Sequence, residues 1–145
     1  MPTNERFMLV PPPGVWDALV DPGGYGYWVV GSKTIRGADP EWPAPGSKFH
    51  HTVGFGPLEL SDHTESIEAR APELLRMRAK GRPLGTATVT MELVPRDGGT
   101  LVRMTETPDG AARALALNPL FRVITKARNA ESLMRLEELA LRRAP

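Results

Sequence analysis

Only three histidines occur in the chain, and two of them, His50 and His51, are neighbours. Adjacent residues of a strand point to opposite faces, so these two cannot share one ion from regular β structure. Around them Phe49, His51, Val53 and Phe55 alternate onto one face, and Gly56-Pro57 supplies a turn. Read as a two-residue turn, it sets Phe55 opposite Leu58, Val53 opposite Leu60 and His51 opposite Asp62. That register keeps the apolar residues on a single face, which is why it is preferred. It places His51 beside Asp62 towards the interior and brings His50 to His63 outside. A histidine held by a carboxylate can act as a general base or orient a polar ligand group. A satisfied polar pair near the sheet rim is the plainer reading. Ile67 falls on the opposite parity from Leu58 and Leu60, so a bulge is expected between them; a bulge before Asp62 would dissolve the dyad.

Glu106 is the second candidate for catalysis, because it follows Val102 and Met104 on the apolar phase of its segment. A buried carboxylate needs a partner or a proton. An arginine of the C-terminal helix or a ligand hydroxyl would serve, unless Glu106 simply meets water at the strand's end. Tyr25, Tyr27 and Trp28 offer phenol and indole donors to a pocket, although packing is the commoner role of such side chains.

Much familiar chemistry is missing. The chain has no cysteine, which removes disulfides, thiolate metal sites and cysteine nucleophiles. It has no phosphate-binding glycine loop, no H-E-x-x-H, no nucleophile elbow and no calcium loop, so neither a metal nor a cofactor is expected. With 18 basic and 17 acidic residues the formal net charge is +1. Such balance draws in neither nucleic acid nor an anionic membrane through a broad field, while leaving room for a local patch. Arg76, Arg78, Lys80 and Arg82 read as the solvated outer face of one strand. Phe7 to Val10, the longest N-terminal apolar run, stops at Pro11-Pro12-Pro13, too short for a signal core or a membrane span. A soluble, cytoplasmic protein is expected, as a monomer or homodimer.

The elements that must position these residues follow from the 14 glycines and 15 prolines, which cut the chain into short pieces. Phe7–Val10 predicts a first strand and Pro13–Val20 a short helix. Asp21-Pro22 then looks like a cap and first turn, starting a second short helix through Trp28. Strands are predicted over 29–37, 47–55, 58–69, 74–80, 85–94 and 100–107, with a tight hairpin at Asp97-Gly98-Gly99. Ala87, Val89, Met91 and Leu93 face inward together, as do Leu75, Met77 and Ala79. From about Ala111, and firmly from Pro119 to Arg143, the period is helical, roughly 37 Å of helix at ~1.5 Å per residue. Its apolar stripe does not stay put. Leu120, Val123, Ile124 and Ala127 share one face, whereas Leu133, Leu136 and Ala140 lie nearly opposite. A bend, a break or two different surroundings near 127–130 are therefore expected.

This order of elements, α+β throughout, resembles the helix-grip fold (START-like, Bet v 1-like) of the SRPBCC superfamily. Within it the chain is similar to the polyketide cyclase/dehydrase and lipid-transport-like proteins. Val15-Trp16-Asp17-Ala18-Leu19 followed by Asp21-Pro22 and Trp28 looks like that family's opening, and Pro45-Gly46 leads into a strand in the expected place. Gly99-Thr100 starts the last strand, and Arg128-Asn129 followed by Leu133 and Leu136 resembles the ending of the long helix. The resemblance implies one domain over 1–145, in which about seven antiparallel strands curl around the C-terminal helix. It further implies an apolar cavity between sheet and helix for a hydrophobic small molecule, lipid-like or polyketide-like. On that reading Leu133, Leu136 and Ala140 anchor the helix, while Leu120, Ile124 and Ala127, with Phe121 nearby, roof the pocket or its mouth. Its wall would be built from Tyr27, Trp28, Phe49, His51, Val53, Met77, Val89, Met91, Met104 and Glu106. The alternative is a polyketide cyclase or aromatase working by acid–base catalysis through His51, Asp62 or Glu106. A third expectation, a protein-binding module, would be marked by a large exposed apolar patch. Fold alone does not choose among them.

Overall fold

The computed structural model describes the backbone of residues 3–29, 32–55, 58–80, 86–109, 113–114 and 117–143, and the side chains of these except 32–36, 51–55, 58–62 and 80. Strand β1 (Thr3–Met8) is followed by helix α1 (Pro12–Val20), a 3-10 turn (Pro22–Gly24) and helix α2 (Tyr25–Trp28). Then come β2 (Ser32–Ala38), β3 (Lys48–Phe55), β4 (Leu58–Arg70), β5 (Leu74–Lys80), β6 (Thr86–Arg96) and β7 (Gly99–Asp109), and the chain ends in α3 (Pro119–Arg143). The strands form one antiparallel seven-stranded sheet in the order β1-β7-β6-β5-β4-β3-β2. This is the helix-grip arrangement: a sheet of consecutive hairpins, short helices after the first strand and one long helix at the end.

Local chemistry explains the joints. Pro12 and Pro13 stand in the first turn of α1, where no amide hydrogen is missed. Asp21 accepts a hydrogen bond from the amide of Gly23 through Oδ1, 3.0 Å, and so starts the 3-10 turn. Asp97 and Gly98, with φ of 46° and 78°, close a two-residue hairpin in which Arg96 pairs with Gly99. Both central residues have positive φ, as the turn that matches strand twist requires. Gly99 also lies against β1, where a Cβ would stand 2.3 Å from the carbonyl oxygen of Met8.

The β3–β4 register is the expected one: Phe55 pairs with Leu58, Val53 with Leu60, His51 with Asp62 and His50 with His63. The expected bulge is at Ile67, where the β4–β5 register shifts between Ser66 and Glu68, well past Asp62. The core is built from Met8, Val15, Leu19, Trp28, Phe49, Leu75, Met91, Val102, Leu133 and Leu136, among others. It joins the inner sheet face to α1, α2 and the C-terminal half of α3.

The long helix corrects one expectation. It runs uninterrupted over Pro119–Arg143, and its change of stripe reflects two surroundings. Its buried face is Thr125, Asn129, Ser132, Leu133, Leu136 and Ala140, a single row at helical spacing. Leu120, at 66% exposure, and Ile124, at 58%, lie on the outer side with Val123 and Ala127. They do not roof the interior. Phe121, half-buried, is the one member of that expected roof which the fold partly covers.

Candidate functional site

The inner face of the sheet brings several of the expected residues into rows. Register places Ser66 opposite Met77, Met77 opposite Val89 and Val89 opposite Glu106, across four strands. In the next row Leu75, Met91 and Met104 stand side by side. All of these side chains are buried. Glu106 is thus the one carboxylate in an apolar row, which its phase in the sequence anticipates.

Burying that carboxylate requires a counter-charge, and α3 supplies it. Arg128 Nη2 donates to Glu106 Oε1 at 2.5 Å, joining the helix to β7. Arg128 also donates from Nε and Nη2 to Asn129 Oδ1, at 3.4 and 3.3 Å. With its oxygen engaged in this way, Asn129 turns its amide nitrogen to the interior, where Nδ2 has no hydrogen-bond partner among the described residues. Asn129 is 1% exposed, so the missing bond is not made good by bulk water. Thr125 and Ser132, one turn to either side, extend this polar strip along the helix.

The nearest backbone neighbours of α3 among the described residues are α1, β1 and α2. The apolar packing of the helix lies in its C-terminal half, at Leu133, Leu136 and Ala140, while its N-terminal half is tied to β1 and β7 by polar contacts, Asn4 Nδ2 donating to Lys126 O at 3.0 Å and Arg128 to Glu106. The N-terminal half presents a polar, not an apolar, face to the interior.

An aromatic group packs in the same core. Tyr25, Trp28, Trp42 and Phe49 pack with ring centroids 4.2–6.4 Å apart. Such tilted and edge-on contacts each contribute about 0.5–1.5 kcal/mol beyond burial. Tyr25 donates its hydroxyl to Met77 Sδ at 2.7 Å. Burial pushes the Tyr25 phenol far above its ordinary value, since no neighbouring charge compensates the phenolate. Trp28 is buried, and its Nε1 has no partner among the described residues.

Tyr27 departs from expectation. It lies at the surface, donating to Glu138 Oε2, with the guanidinium groups of Arg135 and Arg142 5.7 and 5.5 Å from its ring centre. The hydrogen bond to Glu138 raises its phenol's pKa. It braces the outside of α3 and does not reach the interior. Arg76 on the sheet's outer face pairs with Glu68 at 2.9 Å, and Arg78 is exposed, as their phase predicts. The side chains of His51, Val53, Asp62 and Lys80, and all of Arg82, lie outside the described residues; for the histidine and aspartate the backbone pairing is what is known. His50 and His63 do meet, with ring centroids 6.2 Å apart. Among the described residues no cluster of His, Asp and Glu is arranged to hold a metal ion, and no helix is long and apolar enough to cross a membrane.

Asn129 and Thr125 were not singled out by sequence reasoning. A signal existed: continuing the Leu133–Leu136–Ala140 row backwards by four residues at a time reaches Asn129 and Thr125, not Leu120 or Ile124.

The family model for polyketide cyclase / dehydrase and lipid transport matches residues 3–140. Among solved structures, protein MLL2253 from Mesorhizobium loti is 22% identical and superposes with a TM-score of 0.72, covering 99% of this chain and 98% of that one. TTHA0849 from Thermus thermophilus is 17% identical, with a TM-score of 0.72 and the same coverage. Ara h 8.0201 is 14% identical, with a TM-score of 0.73 over 97% of this chain and 96% of its own. At these identities the likeness is one of fold. No curated protein matches the sequence.

Proposed function

The chain belongs to the polyketide cyclase / dehydrase and lipid transport family, and from that premise we propose that it binds a largely apolar small molecule, lipid-like or polyketide-like, between the sheet and α3. The family supports a hydrophobic ligand. The observation that carries the finer reading is the unpartnered Asn129 Nδ2 in the interior, beside the Glu106–Arg128 pair.

A buried donor without an acceptor costs about 1–3 kcal/mol, a penalty that a ligand oxygen removes on binding. Trp28 Nε1 is a second such donor. Both lack acceptors, which a ligand's carbonyl, ether or hydroxyl oxygen would supply, while the unpartnered Asn4 Oδ1 would take a hydroxyl hydrogen. Glu106 already meets the charge of Arg128, so the strip offers donors without net charge. An uncharged oxygen fits it better than a carboxylate, which would stand close to Glu106. Met77, Val89, Met91 and Met104 supply the apolar wall, and methionines adapt their shape to irregular ligands.

Thermal unfolding in the presence of long-chain ketones, alcohols, fatty acids and aromatic polyketides tests this. A ligand at a hundred times its Kd adds about 2.7 kcal/mol of stability. Ketones or polyketides should stabilise the protein more than fatty acids of equal length. Stabilisation by no member of the set would overturn the proposal.

The register of His51 opposite Asp62 favours a second reading, in which the same ligand is a polyketide chain and these two residues with Glu106 move protons during its cyclisation. Replacing His51 and Glu106 together would then abolish turnover while a ligand still bound. Turnover unchanged in that variant would remove the enzymatic reading alone.

A further inference from the structure

The outer face of the sheet carries a histidine pair that the ligand site does not use. His50 on β3 stands opposite His63 on β4, and the ladder makes this a close rung. The Ser66 amide donates to Ser47 O at 2.9 Å, and in an antiparallel pair bonded and non-bonded rungs alternate. Counting from that bond, Lys48–Glu65 and His50–His63 are non-bonded rungs, where Cα atoms approach to about 4.5 Å and facing side chains come closest. The two ring centres are 6.2 Å apart, with the planes inclined by 62°. Both side chains are half-buried, so each ring keeps a path to solvent. On the β2 side of His50 the rung continues into Gly37. That residue has no side chain, and a Cβ built there would meet nothing within 4 Å, so space remains beside the pair.

We propose that His50 and His63 chelate one divalent transition-metal ion that favours imidazole nitrogen, zinc(II) or copper(II). A neutral imidazole offers one lone pair, and these ions accept it readily, whereas magnesium and calcium prefer oxygen. At about 2.0–2.1 Å for each Zn–N bond, two imidazoles on a tetrahedral ion have their centres roughly 5 Å apart. Small rotations of the two rings bring the observed 6.2 Å to that separation. Glu65, on the next non-bonded rung of the same face, stands between Lys48 and Arg78, which offset its charge. The two imidazoles therefore carry the affinity, as a pair and not as a cluster of three or more ligands. An ion held by two side chains keeps positions for water, or for a donor brought by another molecule, so the site is open. Phe49 and Thr64, next along each strand, turn inward. The histidines thus face away from the interior, and the inference does not rest on a ligand there.

Titration calorimetry of the full chain, freed of metal by a chelator, tests it. One Zn2+ should bind per chain, Cu2+ more tightly, and Mg2+ not at all at the same concentrations. H50Q and H63Q should each weaken Zn2+ binding at least about tenfold. Their urea midpoints without metal should match the parent's, since both positions are half-buried on the outer face. In the unaltered chain the imidazole NMR signals of His50 and His63 should shift together as Zn2+ is added, a readout that stands whatever the stability of the variants. Absence of Zn2+ and Cu2+ binding would overturn the inference, as would a variant that binds like the parent or histidine signals that stay in place. One ion to two chains would also overturn it, because the ligands would then come from two copies. None of these results bears on the thermal-shift experiment with organic ligands.

Discussion

Arg128 on the long helix and Glu106 on the last strand meet at 2.5 Å, and they do so across the boundary where the helix changes from an apolar to a polar inner face. The pair fastens the N-terminal half of α3 to the sheet, where few apolar side chains are available to do so. Arg128 is 38% exposed at its side chain and Glu106 only 9%, so the two partners are unequal in burial.

That inequality gives a direction. Arg128→Met leaves a buried carboxylate without its cation and should cost about 1–3 kcal/mol, discounted from the fully buried case for the arginine's exposure. Glu106→Leu leaves a charge that water can reach and should cost less. The double variant Glu106→Leu with Arg128→Met should return to within about 1 kcal/mol of the parent in urea unfolding. A double variant as unstable as the sum of the two singles would show that they do not act as a pair.

Asn129→Leu separates stability from binding. It removes an amide whose nitrogen is buried and unpaired and whose oxygen accepts long bonds only from the part-exposed Arg128, which water can serve instead, so urea unfolding should find it within about 1 kcal/mol of the parent. Affinity for ketone-bearing ligands should nevertheless fall about tenfold by titration calorimetry, the loss expected for one hydrogen bond. Unchanged affinity would place the ligand's oxygen elsewhere.

The orientation of α3 is read by two leucines. Leu136 is fully buried and Leu120 is 66% exposed. Leu136→Ala should cost about 2–5 kcal/mol, whereas Leu120→Ala should stay within about 0.5 kcal/mol of the parent. Equal costs would mean that the helix is rotated from the orientation described.

Tyr25 makes stability fall at high pH. Its phenol has a folded pKa raised above the ordinary 10.0, because burial disfavours the phenolate. Below about pH 10 both states keep the proton and stability is unaffected. Above about pH 10 the unfolded chain releases it and the folded one does not, so stability declines by about 1.4 kcal/mol per pH unit. Urea unfolding between about pH 9 and 11.5 should show this slope, and Tyr25→Phe should lessen it. Absorbance titration of the folded protein should detect Tyr27 alone of the two tyrosines, shifted upward by its bond to Glu138.

Much of this was legible without coordinates. The β3–β4 register, the bulge at Ile67 and the Asp97-Gly98 hairpin come from alternation and turn chemistry, which act between neighbours in sequence or across one hairpin. Glu106's inward phase beside Val102 and Met104 was legible too, and with it the need for a partner; that the partner is Arg128, and not a ligand hydroxyl or water at the strand's end, was decided by the packing of α3 on β7. Tyr27 shows the limit. A four-residue helix has no stripe to read, so nothing local turned Tyr25 and Trp28 inward and Tyr27 towards Glu138.

For the long helix, residue spacing was enough to establish that there would be one, where it would stop and that its two halves carry opposed apolar faces. Which face turned inward was settled by packing against the rest of the molecule. Leu133, Leu136 and Ala140 bury against a ready-made partner surface at the helix's C-terminal half, and the regular 3.6-residue turn then carries the same face along to Asn129 and Thr125. Leu120 and Ile124 are left outside because a rigid helix cannot turn one half without the other, and burial at one end outweighed the exposure that remains at the other.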